Sequence, residues 1–302
     1  MINPIARREF LRTAGTAVAL AALGPRLFAA EEKPAPGGFK KGIMWGTVGG
    51  KGSVAEKMKA IKAAGFDGVE MMGAMEQAEV LKARDEAGLE IPSVCCKQHW
   101  KLPLSHPDRK VRAEGLADVQ QSLRDAKAYG AGSILLVPGV VNQEVSFDDC
   151  WKRSTEQIRQ AIPLAAELGV KISVENVWNN FITTEEQAVR YLDEINSPWV
   201  GWHFDCGNII RYGDPMAWIK ALGKHINRVH IKEYSRDRAM RSDDVWKGFN
   251  VALLEGANNW AGIIKNLKAV GYANYLITEQ SGGDTPEGLR DLSERLGKII
   301  AA

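Results

Sequence analysis

Four polar residues close four successive apolar runs in the second half of the chain. Glu175 ends Lys171-Ile-Ser-Val-Glu175, and Asp205 ends Gly201-Trp-His-Phe-Asp205. His230 lies in Arg228-Val-His230-Ile, and Glu279 ends Tyr275-Leu-Ile-Thr-Glu279. Any one of them alone reads as a solvated strand end. Together they carry chemistry if the fold lets them converge. Three carboxylates brought close repel and shift one another's protonation unless a cation sits among them. Three oxygen donors and one imidazole suit a single divalent ion, with Mn²⁺ ahead of Mg²⁺ and Co²⁺, better than they suit a thiolate-type zinc site; Zn²⁺ on oxygen and nitrogen ligands stays in range.

Such convergence needs parallel strands whose ends share one face. From residue 41 onward, strand-sized apolar runs alternate with longer helical patterns. The runs are 42–48, 68–72, 91–96, 133–138, 170–175, 200–205, 226–232 and 275–279. Helix starts are signalled by Ser53-x-x-Glu56, Ser105-x-x-Asp108, Ser146-x-x-Asp149 and Thr183-x-x-Glu186, and by Asp214-Pro215 and Thr285-Pro286. Helix stops are signalled by Gly65, Gly88, Gly130, Gly169 and Gly271, each just before a run. Eight strands alternating with helices predict a single (β/α)₈ barrel, an α/β fold whose chemistry sits at the C-terminal ends of its strands. A doubly wound open sheet is the competing architecture. Its phosphate-binding glycine spacings are missing from Thr47-Val-Gly-Gly-Lys-Gly-Ser53, which reads as a flexible first loop.

Further candidates follow from parity and position. Lys232 stands two residues after His230, on the same side of its strand, where it either stabilises an oxyanion or is a solvated end. His203 shares the parity of Asp205 and reads as a supporting or packed imidazole. His99-Trp100 after the third run and Trp45 at the end of the first offer walls for a sugar's C–H faces, or plain core. Asn176 stands ready to orient Glu175 or to touch substrate, while His106 and His225 read as surface residues.

With these residues in view, the chain from about Lys41 to its C-terminus resembles the xylose isomerase-like TIM barrels, in the sugar isomerase/epimerase branch that includes ketose 3-epimerases. The resemblance rests on Val-Glu175-Asn, Asp205-Cys-Gly-Asn208, Val-His230-Ile-Lys-Glu and Thr-Glu279-Gln, with Pro138-Gly139 and Leu253-Leu-Glu-Gly256 before Trp260 in support. It implies that Glu175, Asp205, His230 and Glu279 hold one divalent metal. It also implies that Glu175 and Glu279 move a proton beside a carbonyl through an enediolate, on a small sugar substrate. One glutamate on each face gives epimerisation; a single glutamate serving both steps gives 1,2-isomerisation. The resemblance further implies a substrate-holding Arg236 and, three residues after Asp205, a substrate-holding His. Position 208 is Asn instead, so Asn208 bears on the choice of substrate more than on the metal. A homodimer is common among the proteins it resembles.

Composition bounds the alternatives. The chain has 302 residues, of which 45% are hydrophobic and 25% charged, enough apolar mass for one large core. Residues 1–30 read as a twin-arginine signal: Arg7-Arg8-Glu-Phe-Leu-Arg12, then an alanine-rich apolar stretch too short to span a bilayer. Export to the periplasm is therefore expected, with no stable membrane association once the signal is removed. Residues 31–39, with Pro34-Ala-Pro-Gly-Gly38, read as a linker, and 40–302 as the barrel domain. Losing residues 1–30 takes away four arginines and one glutamate, which turns a formal charge of +2 into −1. That balance, with five histidines, argues against a nucleic-acid partner and a multi-zinc nuclease. Cys95, Cys96, Cys150 and Cys206 include no CxxC pair and read as buried free thiols. Phosphorylated sugars are mainly cytoplasmic, so the expected substrate is a free sugar, a keto-sugar or a glycoside. A metal-dependent lyase or dehydratase, and a non-catalytic periplasmic sugar-binding protein, are the rival functions.

Overall fold

The computed structural model describes residues 38–302. The expected signal and most of the expected linker lie outside the described residues. Eight parallel strands close into a barrel in sequence order: β1 (Lys40–Met44), β2 (Gly68–Met72), β3 (Ser93–Cys95), β4 (Ser133–Leu136), β5 (Lys171–Glu175), β6 (Val200–Asp205), β7 (Ile226–Ile231) and β8 (Tyr275–Thr278). The ring is shut by pairing of Gly42 with Ile277. The principal helices are α1 (Val54–Ala63), α2 (Gln77–Ala87), α3 (Arg109–Tyr129), α4 (Phe147–Leu168), α5 (Glu185–Ile195), α6 (Cys206–Ile209), α7 (Pro215–Leu222), α8 (Arg236–Arg241), α9 (Trp260–Ala269) and α10 (Pro286–Ile300). This is the (β/α)₈ barrel that the alternation predicts. Among the described residues no helix is long and apolar enough to cross a membrane.

The core lies mainly between barrel and helices. On α10, Leu289, Leu292, Leu296 and Ile299 recur at three- and four-residue spacing and are all buried, which fixes the helix face turned to the barrel. Trp202 of β6 and Trp218 of α7 are both fully buried with ring centroids 6.1 Å apart. Burying each such side chain contributes about 2 kcal/mol or more. All four cysteines are buried and unbridged.

Most helix boundaries fall where the caps predict. Ser53 accepts from the Glu56 N–H while Glu56 reaches back to the Ser53 N–H. Gly88, Gly130 and Gly169 end α2, α3 and α4 with positive φ. Two starts differ. The cap of α3 is Asp108, not Ser105, because Ser105 is buried and its hydroxyl accepts from the Val140 N–H at 3.1 Å. The cap of α5 is Thr184, paired with Gln187, one residue later than expected.

Candidate metal centre at the C-terminal mouth

Strand register builds the site. Asp205 lies opposite His230 across β6 and β7, and Glu175 opposite His203 across β5 and β6. The Glu279 N–H donates to the Ile231 carbonyl at 3.1 Å, extending the β7–β8 ladder by one residue. The ligand atoms of Glu175, Asp205, His230 and Glu279 all lie within 4.8 Å of one another. His230 Nδ1 is 3.1 Å from Glu175 Oε1 and 3.4 Å from Glu279 Oε2. Glu175, Asp205 and His230 are buried, and Glu279 is partly open to solvent.

The loop after β6 shapes Asp205. Its Oδ1 accepts from the Asn208 N–H at 2.9 Å, which caps α6. Gly207 is required there, since a Cβ would sit 2.5 Å from the Lys232 carbonyl oxygen. Asp205 Oδ2 is left buried with no hydrogen-bond partner, 3.8 Å from Lys232 Nζ. An unpartnered buried carboxylate oxygen aimed into three other donors fits a cation. The group can hold a divalent metal ion on donor chemistry and on geometry.

Electrostatics agree with that reading. Burial pushes the Asp205 carboxyl up to about 8, with Glu279 and Glu175 adding to the shift against the pull of Lys232. Burial also raises Glu175, against the opposing effect of His230. Glu279 is held well below the usual carboxylate range, because Lys232 and His230 outweigh its burial. Lys232 Nζ donates to Glu279 Oε2 at 2.9 Å. Burial alone would lower Lys232, but the carboxylates around it raise its pKa.

Asn176 ties the ends of β5 and β6 together. Its Oδ1 accepts from the Asp205 N–H and from Trp202 Nε1, each at 3.0 Å, and its Nδ2 donates to the Asp205 carbonyl at 2.8 Å. Asn208 Nδ2 donates to the Asn176 carbonyl at 3.0 Å. The Asn208 amide is therefore engaged with the scaffold, although the residue lines the cavity above the tetrad.

That cavity, about 140 Å³, is lined by Glu175, Glu279, Lys232, Asn208, His99 and Trp100, among others. His99 Nδ1 accepts from the Val137 N–H at 3.3 Å, so a neutral ring carries its proton on Nε2. Burial lowers its pKa to about 4, which keeps it neutral. Of three further candidates, Trp45 and His203 take the packed alternative, and Arg236 is turned from its expected contact. Trp45 lies on the 3₁₀ turn Trp45–Thr47 and packs against the core beneath Lys57, while Met44 lines the cavity. Arg236 starts α8, its guanidinium donates to the Ile210 carbonyl at 2.9 and 3.2 Å, and it is not among the residues lining the cavity. His203 is fully buried one layer below Asp205, with its ring centroid 4.1 Å from that of His230, and has no access to a ligand above.

Residues without a clear sequence signal complete the site. Trp178 and Trp246 line the cavity from the β5–α5 and β7–α9 loops, with ring centroids 4.6 Å apart. Glu233 is buried and accepts from the Leu254 and Asn258 N–H groups, from Asn258 Nδ2 and from Trp260 Nε1. It thereby anchors the far end of the loop that carries Trp246. Replacing Glu233 with Ala strands these donors, and a stability loss of about 3 kcal/mol is expected. A metal-free urea titration measures it as a lower unfolding midpoint with an unchanged slope.

The family model for the xylose isomerase-like TIM barrel matches residues 58–299. The chain belongs to this family. It is similar to L-ribulose-5-phosphate 3-epimerase UlaE of Salmonella paratyphi A, at 26% identity over 237 residues, covering 74% of this chain and 80% of that protein. Among solved structures, the 3-keto-D-glucoside 4-epimerase YcjR of E. coli superposes with a TM-score of 0.72 at 19% identity, covering 87% of this chain and all of that one. An L-ribulose 3-epimerase superposes with a TM-score of 0.73 at 19% identity, covering 87% of this chain and 95% of that one. These structural likenesses carry the barrel fold.

Proposed function

We propose that this xylose isomerase-like barrel is a divalent-metal-dependent sugar epimerase, with Mn²⁺ as the preferred ion, acting by proton transfer at a carbon next to a carbonyl. The observation that carries the reading is that Glu175 and Glu279 come from β5 and from just beyond β8, line one cavity and both approach His230 Nδ1. Glu175, Asp205, His230 and Glu279 would hold the ion. When bound, it supplies Lewis acidity that polarises a substrate carbonyl and favours the enediolate. Glu175 and Glu279 approach a sugar from different strands. One takes the proton beside the carbonyl and the other returns one to the opposite face, which inverts the centre. Lys232, held against Glu279, places positive charge where the enediolate oxygens become negative. The neutral His99 offers an Nε2–H donor.

The substrate we propose is unphosphorylated: a free ketose, a keto-sugar or a glycoside of one. Among the described residues lining the cavity Lys232 is the one cation, and Glu279 already engages it. A phosphate group would find no unengaged cationic side chain among the described residues lining the cavity. Trp100 and Trp246, 52% and 58% exposed, present indole faces that suit pyranose C–H surfaces. This departs from the phosphorylated substrate in the name of the Salmonella relative. Replacing Trp246 with Ala is expected to raise KM about fivefold with little change in kcat, equivalent to about 1 kcal/mol of stacking.

A Mn²⁺-loaded panel in D₂O tests the reading by NMR. Deuterium should enter free ketoses or keto-glycosides at the carbon beside the carbonyl, with the epimer appearing alongside. No deuterium uptake by any sugar would favour a binding protein. An unsaturated product would favour elimination. Faster turnover of L-ribulose 5-phosphate than of any free sugar would overturn the unphosphorylated assignment. The export reading belongs to the same proposal, and a periplasmic fraction carrying the full chain shortened by about 30 residues would support it.

A further inference from the structure

Beneath the tetrad, the interior of the barrel holds a second buried group that the proposed reaction does not use. Glu70 of β2 is fully buried, and its Oε2 lies 2.8 Å from His230 Nε2. β2 and β7 are not neighbours in the ring, so this contact passes through the barrel interior. Ser93 of β3 donates its hydroxyl to Glu70 Oε1 at 2.5 Å, and His203 packs edge-on against the His230 ring. Glu70, Ser93, His203 and His230 are all sealed from solvent.

We propose that Glu70 is a positioning residue that sets which nitrogen of His230 meets the metal. The proposal rests on the tetrad reading above. With Glu70 Oε2 as the acceptor at 2.8 Å, Nε2 carries the proton in this pair. The lone pair of a neutral His230 is then confined to Nδ1, the atom facing Glu175 and Glu279. Ser93 fixes the carboxylate plane, and the His203 ring closes the space into which His230 could rotate. A histidine ligand whose other nitrogen donates to a carboxylate is oriented and made a better donor, and losing that partner weakens metal binding about 10- to 100-fold. Glu70, His203 and His230 also lie close enough to hold an ion of their own. Such an ion would displace the Glu70–His230 hydrogen bond, in a sealed chamber with three donors, so the positioning role accounts for the geometry better.

Glu70→Gln, nearly isosteric, is the main variant, because its amide can donate to Nε2 and reverse the tautomer. Ser93→Ala removes only the hydroxyl that steadies Glu70. Mn²⁺ affinity is measured by calorimetry without any sugar, on protein whose thermal melt shows it folded. The expected result is at least a tenfold loss in Glu70→Gln and about a threefold loss in Ser93→Ala, with one ion per chain throughout. In ¹⁵N-histidine-labelled, Zn²⁺-loaded protein, the His230 ring should report a protonated Nε2 in the wild type, and that signal should be lost in Glu70→Gln. Equal Mn²⁺ affinity in wild type and both variants, an unchanged His230 tautomer, or two ions per chain would overturn the proposal. If Glu70→Gln does not fold, Ser93→Ala and the wild-type tautomer decide it. A wild-type chain that binds no Mn²⁺ would overturn the tetrad reading, and this proposal with it. A chain that binds Mn²⁺ but turns over no sugar would leave this proposal standing and overturn only the epimerase.

Discussion

Replacing Glu279 with Gln is expected to lower epimerisation by about a thousandfold or more while at least half an equivalent of metal stays bound. The amide keeps an oxygen that can face a cation but has no basicity to accept a carbon-bound proton. Positioned general acid–base groups contribute about 10²- to 10⁴-fold each, and inversion needs both glutamates, one to take the proton and the other to return one. Glu175→Gln should behave alike, because each glutamate lies near the shared His230 nitrogen. A finer outcome separates two bases from one. With a base on each face, a variant lacking one glutamate can still deprotonate the epimer whose C–H faces the other. The same glutamate then returns deuterium from solvent without inversion. Glu279→Gln should therefore exchange one epimer and Glu175→Gln the opposite one, with neither giving net product. Exchange of both epimers by a single variant would mean a one-base mechanism. Near-wild-type epimerisation in either variant would remove the two glutamates from the proton-transfer role. Metal content by elemental analysis guards against the trivial explanation that the ion was lost.

The strand ends could be read from the sequence because β/α alternation makes them a local pattern. An apolar run that finishes on Glu175, Asp205 or Glu279 places that residue at the mouth whatever the loops do. The same logic located Lys232, which the structure sets against Glu279. It failed by one position at β1, where the strand ends at Met44 and the backbone turns into a 3₁₀ segment, so Trp45 swings off the cavity. It failed for Glu70 for a different reason. A single glutamate within Gly68-Val-Glu-Met-Met72 looks like an interruption, and its partner is reached only when the barrel closes and β2 faces β7 across the interior. A charge buried in an apolar strand was the available signal. Trp178 and Trp246 reach the cavity from long connections whose paths are set by tertiary hydrogen bonds such as those to Glu233, which no periodicity encodes. Arg236 shows the limit of carrying a role over by spacing: it stands six residues after His230, as the family pattern has it, yet the local backbone turns its guanidinium to the Ile210 carbonyl.

Stripping the metal with a chelator is expected to abolish turnover, and restoring Mn²⁺ should recover it. The size of the accompanying stability change follows from linkage. An ion that binds only the folded chain, at 100 times its Kd, adds about 2.7 kcal/mol. For a domain of this size that is roughly a 5–10 °C rise in Tm. The physical source is the removal of repulsion among Glu175, Asp205 and Glu279, together with a partner for the buried Asp205 Oδ2. The pH dependence has a definite sign. Burial raises the Asp205 carboxyl to about 8, above its ordinary value of 3.8, so the metal-free fold favours the protonated form and loses stability as pH rises from about 4 through 8. The ion requires the carboxylate, so Mn²⁺ affinity should climb over the same interval, with protons released on binding. The gap in Tm between loaded and stripped protein should accordingly widen from pH 6 to pH 8. Calorimetry in buffers of different ionisation enthalpy counts the protons released. A gap that narrows with rising pH, or binding without proton release, would mean that the ion does not sit on these carboxylates.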